Sequence, residues 1–192
     1  GAGLVLIAVP MASLAGNLRV FKPLLPVDAV VISAVKGIAV ETGERVSEIA
    51  ASILEPAVLE RWVTLSGPNL GREVAAREPT TTVIAGPDRA VTKRAQRAFS
   101  AAWFRAYTSD DLVGVELAGA LKNIIAIGAG MTDGMHLGHN AKAALMTRGL
   151  AEMTRLGIAA GANPLTFGGL AGVGDLIATC ESPQSRNHYV GE

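Results

Sequence analysis

Ala29-Val-Val-Ile-Ser-Ala-Val-Lys-Gly37 decides the fold class. The run is uncharged and rich in β-branched residues until it ends on a lysine and a glycine. A half-solvated strand would alternate apolar and polar residues, so an unbroken run reads as a short strand covered on both faces. Similar runs occur at 4–9 (Leu-Val-Leu-Ile-Ala-Val), which reads as a short buried strand, at 62–66 and at 80–85 (Thr-Thr-Thr-Val-Ile-Ala). Residues 103–108 add a further candidate. Between the runs, apolar residues recur at three- and four-residue spacing, as with Leu14, Leu18, Phe21 and Leu25 along 11–24. Residues 45–57 and 88–102 behave similarly, the latter starting from Asp88 as N-cap. Alternating strands and helices predict an α/β layer with a parallel component.

The pattern changes near residue 109. Ser109-Asp110-Asp111 is a helix start, and beyond it strand signals almost vanish. Residues 111–131 and 140–160 read as long helices separated by the Gly- and His-containing turn 133–140. Residues 164–192 read as shorter pieces punctuated by Gly and Pro. The expected organisation is an α/β part over 1–109 and an all-helical part over 110–192.

Composition narrows the function. The 192 residues are 49% hydrophobic and 18% charged, which argues against disorder and allows a substantial core. Lys+Arg 17 balance Asp+Glu 17, so the chain lacks the basic excess of a nucleic-acid binder. A lone cysteine, Cys180, excludes an internal disulfide and reads as a small buried hydrophobe. Pro10, Ser13 and Asn17 interrupt the uncharged opening, and no basic segment precedes it, so neither a membrane span nor a signal peptide is expected and the predicted compartment is the cytoplasm. The chain opens without Met directly on a strand-like run, and so reads as an internal segment of a longer protein.

Lys122 is the most informative single residue. It sits in Val113-Gly-Val-Glu-Leu-Ala-Gly-Ala-Leu-Lys-Asn-Ile-Ile-Ala-Ile-Gly128, apolar nearly all round, where Glu116 and Lys122 are the only charges. A helix of this kind is buried, and a buried ammonium pairs, drops its pKa or serves a ligand. A structural ion pair, or a side chain reaching back to solvent, is the alternative. Lys36 follows a strand, where ligands collect in open α/β sheets, although a solvated strand-end lysine has the same signature. Ser66-Gly-Pro-Asn-Leu-Gly71 follows a strand and precedes a helix, so it is either a plain turn or a set of amides for an anion. Asp175, after the glycine-rich 168–174, reads best as an N-cap. Arg186 offers a planar fork for phosphate. The sequence holds no G-x-G-x-x-G after a strand and no G-x-x-x-x-G-K-[ST] or G-x-S-x-G. His136, His139 and His188 lack metal-ligand spacing, so turn or surface roles are expected and no metal site is.

Taken in order, Val35-Lys-Gly-Ile38, Ser66-Gly-Pro-Asn69, Gly119-Ala-Leu-Lys-Asn123, Asn140 with Arg148-Gly-Leu150, Gly172-Val-Gly-Asp-Leu176 and Ser185-Arg-Asn187 resemble the bacterial NAD(P)-dependent glycerol-3-phosphate dehydrogenase family over essentially the whole chain. The resemblance implies an enzyme that interconverts dihydroxyacetone phosphate and sn-glycerol 3-phosphate for glycerophospholipid synthesis, with a Rossmann-like cofactor-binding domain followed by a helical substrate domain. It implies Lys122 as the catalytic lysine. Lys36, Gly67, Asn69, Lys122, Asn123, Asp175, Ser185, Arg186 and Asn187 fall on substrate-binding positions. Lys36, Gly71 and Arg186 fall on cofactor-binding positions, the cofactor being NAD or NADP. The partner implied is a small molecule, with no nucleic acid and no membrane insertion; a homodimer is one option for the assembly. The family pattern departs at Asn69, where Ser or Thr is frequent, and at Gly71, where Ala is frequent. Its Gly-rich loop would precede Gly1 and its tail would follow Glu192, so the 192 residues alone are expected to be inactive. A related dehydrogenase acting on a 3-hydroxyacid or ketopantoate, or a binding module without turnover, is the alternative; the Ser185-Arg-Asn187 stretch speaks for a phosphate ester.

Overall fold

The computed structural model describes residues 2–192. In its first half, strand β1 (Leu4–Ile7) leads through helix α1 (Leu14–Phe21) to β2 (Val30–Ser33). Helices α2 (Val46–Ile53) and α3 (Pro56–Leu59) precede β3 (Trp62–Ser66). Then follow α4 (Gly71–Ala76), β4 (Thr80–Ala85), α5 (Arg89–Phe99) and β5 (Phe104–Ser109). The second half is helical: α6 (Leu112–Gly134), α7 (Gly138–Ala159), α8 (Pro164–Phe167), a π-helical turn (Leu170–Gly174), α9 (Asp175–Glu181) and α10 (Arg186–Gly191).

The strands form one sheet in the order β1-β2-β3-β4-β5. Pairing is parallel except between β3 and β4, which run antiparallel with Leu65 opposite Ile84. Strand β2 is buried throughout and feeds both layers. Val31 packs with Leu14, Leu18, Val46 and Ile49 from α1 and α2. Its neighbours Val30 and Ile32 pack with Ala95 of α5 and with Val63 and Ile84. Successive side chains point to opposite faces, so an unbroken apolar run is what a doubly covered strand requires.

Three expectations need correction. The run 4–9 is a strand only over Leu4–Ile7, and among the described residues β2 alone pairs with it, leaving Leu6 half-exposed. The single helix expected over 45–57 is broken at Leu54 and Glu55, both extended, before α3 starts at Pro56; the proline ring disfavours helical backbone at Glu55, the residue before it. The helix expected over 11–24 is α1 flanked by short 3-10 turns at Met11–Ser13 and Lys22–Leu24.

Helix α6 connects the two halves. Asp111 caps it by accepting from Gly114 N at 2.9 Å, and its second oxygen accepts from Asn163 N and Thr166 Oγ1. Glu116, buried in its second turn, accepts from Ser47 N, Ser47 Oγ and Arg45 Nη1 at 2.9, 2.6 and 2.8 Å. Burial pushes its carboxyl up, against those donors. Further along, Leu117, Ala118, Ile125 and Ala126 join Met153, Phe167, Leu176 and Cys180 in the helical core. Among the described residues α6 is the one helix long and apolar enough to cross a membrane, but its packing on β3, α7, α9 and α10 makes it a core helix. Cys180 is fully buried, and burial pushes its thiol up to about 11, as suits an inert core residue.

Candidate active site

Two lysines meet on one carboxylate. Lys36, just past β2, donates to Asp175 Oδ2 at 2.5 Å, and Lys122, midway along α6, donates to Asp175 Oδ1 at 2.6 Å. Lys122 also donates to Thr179 Oγ1 at 2.5 Å, and that hydroxyl donates to the Asp175 carbonyl at 2.6 Å. Lys122 and Asp175 are only 6% and 2% exposed, so Lys122 does not reach back to solvent. Burial, and next the Lys36 ammonium, push the Lys122 ammonium below its ordinary value, while Asp175 pulls the other way.

Asp175 is not the N-cap expected for it. Gly174 occupies that position and Asp175 opens the helix with its side chain turned onto the lysines. The preceding π-helical turn carries the chain into α9 where Gly172 lies against the Phe167 backbone.

A cavity of about 830 Å³ opens over this carboxylate. Lys36, Asn69, Gly71, Lys122, Asn123, Asp175, Ser185, Arg186 and Asn187 all line it. Gly67 does not. It is buried beneath, at φ +151° and against the Thr82 backbone, with its carbonyl 3.4 Å from Lys36 Nζ. That backbone region favours glycine and leaves no room for a side chain.

Some lining groups are already engaged. Asn69 Nδ2 donates to Thr81 O at 2.8 Å and its Oδ1 accepts from Thr82 Oγ1 at 2.9 Å, so this side chain ties the loop to β4. Ser185 Oγ caps α10 by accepting from His188 N at 3.2 Å. Asn187 Nδ2 donates to Asn123 Oδ1 at 2.8 Å, joining α10 to α6 beside Lys122. Arg186 is exposed at the rim and makes no ion pair among the described residues. The expectation that His188 has a turn or surface role fails: it is buried, with Nε2 2.7 Å from Asp133 Oδ2.

Thr179 went unnoticed in the sequence, although it stands four residues after Asp175 on a helix, the spacing that places two side chains on one face. The opposite wall also carried no polar signal. It consists of Ala8, Val9, Pro10 and Met11 beyond β1 and Ala34 and Val35 beyond β2. These parallel strands end at the cavity, where open α/β sheets bind nucleotides. At Gly71 no atom lies within 4 Å of where a Cβ would stand, which leaves room for close approach of a ligand to the backbone. An apolar wall for a flat ring, with Lys36 and Arg186 for anionic groups, fits a nicotinamide dinucleotide.

Both halves of the chain match a known family. The NAD-dependent glycerol-3-phosphate dehydrogenase N-terminus matches residues 1–92, and the C-terminus of the same family matches residues 111–192. Glycerol-3-phosphate dehydrogenase [NAD(P)+] of Dehalococcoides mccartyi is 50% identical over 191 residues, covering 100% of this chain and 53% of that protein. That of Streptomyces coelicolor is 50% identical over 185 residues, covering 96% of this chain and 55% of that protein. The crystal structure of glycerol-3-phosphate dehydrogenase from Coxiella burnetii superposes with a TM-score of 0.92 at 39% identity, over 100% of this chain and 57% of that one. The chain thus spans about half the length of the curated relatives it matches. It belongs to the NAD-dependent glycerol-3-phosphate dehydrogenase family.

Proposed function

We propose that this chain carries the reaction centre of an NAD(P)-dependent glycerol-3-phosphate dehydrogenase that interconverts dihydroxyacetone phosphate and sn-glycerol 3-phosphate. The observation that carries this reading is the buried Lys122 ammonium, held by Asp175 and Thr179, in the same cavity as Arg186.

Lys36, Gly71 and Arg186 would hold the cofactor. When bound, the nicotinamide supplies a hydride to the carbonyl carbon in one direction and accepts one in the other. During reduction negative charge grows on the substrate oxygen. The Lys122 ammonium stabilises that charge and donates a proton to it. During oxidation the neutral Lys122 amine accepts the hydroxyl proton. Burial lowers the cost of that exchange by weakening the hold of Lys122 on its proton. Asp175 and Thr179 orient Nζ, and Asp175 also fixes Lys36 beside it. Arg186, with Asn123, Ser185 and Asn187 around it, grips the remote phosphate and orients the reacting carbon. Gly67 and Asn69 hold the loop that closes this side of the pocket.

In this reading 1–109 is the cofactor-binding unit and 110–192 the helical substrate unit. The product serves glycerophospholipid synthesis in the cytoplasm, and the assembly is a homodimer. The test is oxidation of NADH and NADPH dependent on dihydroxyacetone phosphate, measured on the longest natural reading frame containing this chain. Turnover that Lys122→Ala lowers by about 10²-fold or more supports the reading. No turnover in the folded protein with either cofactor overturns it, in favour of a related dehydrogenase or a binding module.

A further inference from the structure

Helix α10 begins with Arg186 and Asn187, which line the cavity. Its position is set by its contacts with α6. A Cβ on Gly130 of α6 would strike the His188 carbonyl, and a Cβ on Gly191 would strike the Ile127 carbonyl, so the two helix backbones touch directly. One turn beyond Gly130, Asp133 Oδ2 lies 2.7 Å from His188 Nε2 and accepts from Lys142 Nζ of α7 at 2.9 Å. Lys142 lies 3.3 Å from Glu181 at the end of α9. Neither Asp133 nor His188 lines the cavity; Lys142 lines a separate pocket with Met146 and Leu176. One carboxylate therefore ties α6, α7 and α10 together away from the chemistry. Lys142 and His188 both hold the Asp133 carboxyl below its usual range, so it stays a charged anchor.

We propose that Asp133 is a positioning residue: by holding His188 and Lys142 together it sets the seat of α10, and so where Arg186 and Asn187 meet the substrate's phosphate. This rests on the dehydrogenase reading given above. The contact between glycine backbones has no side chain to resist sliding; the Asn187–Asn123 bond holds α10 at its cavity end, and the Asp133 network holds its far end on α6. Displacement of a gripping group by about an ångström weakens its hold on the phosphate far more than it lowers overall stability.

The test compares Asp133→Asn with the unsubstituted protein in the longest natural reading frame containing the chain. Two readouts are used: kinetics with dihydroxyacetone phosphate, and amide hydrogen exchange. KM should rise about tenfold while kcat falls by less than about threefold, since the phosphate is gripped alike in the ground state and the transition state. Exchange at residues 188–191 should speed up about tenfold, with α2 unaffected. His188→Leu should act in the same direction and His188→Gln should restore most of the loss, because an amide still donates to Asp133. This second pair decides the matter if Asp133→Asn does not fold. Unchanged KM with unchanged exchange at 188–191, or a fall confined to kcat, overturns the inference. Absence of turnover in the unsubstituted protein overturns the dehydrogenase reading instead, and exchange at 188–191 still reports whether Asp133 seats α10.

Discussion

Lys122 Nζ lies 2.6 Å from Asp175 Oδ1, across 53 residues of sequence. The same carboxylate takes Lys36 at 2.5 Å, across 139. One anion thus faces two cations, and the proton affinity of Lys122 is a balance of burial and Lys36 against Asp175.

That balance predicts a pH profile. In the reaction proposed above reduction needs the ammonium, so its kcat/KM is expected to fall as pH rises through the lowered pKa of Lys122, and that of oxidation to rise through the same value. Asp175→Asn removes the group that favours the ammonium, so the falling limb moves to lower pH. Lys36→Met removes the competing cation and moves it to higher pH. Profiles of kcat/KM for dihydroxyacetone phosphate check both signs, and a limb that stays in place in both variants refutes the assignment.

Arg186 brings a planar fork to the rim, where a point charge is a poor substitute. Arg186→Lys is expected to raise KM for dihydroxyacetone phosphate by about tenfold, and Arg186→Ala by about a hundredfold, with smaller effects on kcat. Equal KM values in the two variants would show that bidentate geometry is not what binds the phosphate.

Glu116 is an anchor between α6 and the α2 end of the sheet layer. Glu116→Ala removes the acceptor of Ser47 N and Ser47 Oγ and one of two acceptors of Arg45 Nη1, which keeps Ser47 Oγ at 3.0 Å. It should cost about 3 kcal/mol in denaturant unfolding, with Arg45 partly compensated by Glu48. A loss below about 0.5 kcal/mol would mean that the network contributes nothing net.

Asn69 tests scaffold against ligand. Its amide is spent on Thr81 and Thr82, so Asn69→Ala should lower stability by roughly 1–2 kcal/mol, read from the unfolding midpoint. A variant of unchanged stability but raised KM would make Asn69 a substrate contact instead.

The strands and the long core helix were legible because their signals are local. The runs at 29–35, 62–66 and 80–85, and the nearly uncharged stretch around Lys122, state their burial through composition and period alone. The break before α3 is also locally encoded, in Pro56. The ordered motifs added the family, which periodicity has no means of giving. What stayed hidden depended on partners far along the chain. Asp175 after a glycine run has the local look of an N-cap, and only the approach of α6 and of the β2 end makes it the carboxylate between two lysines. His188 looked like a surface residue until α10 seated on α6 and brought Asp133 to it. Local sequence sets which segments become strands and helices, because backbone preference and apolar period act over a few residues. The chemistry of a buried charge was decided by tertiary structure, because its energy depends on which charges and dipoles packing brings within a few ångströms.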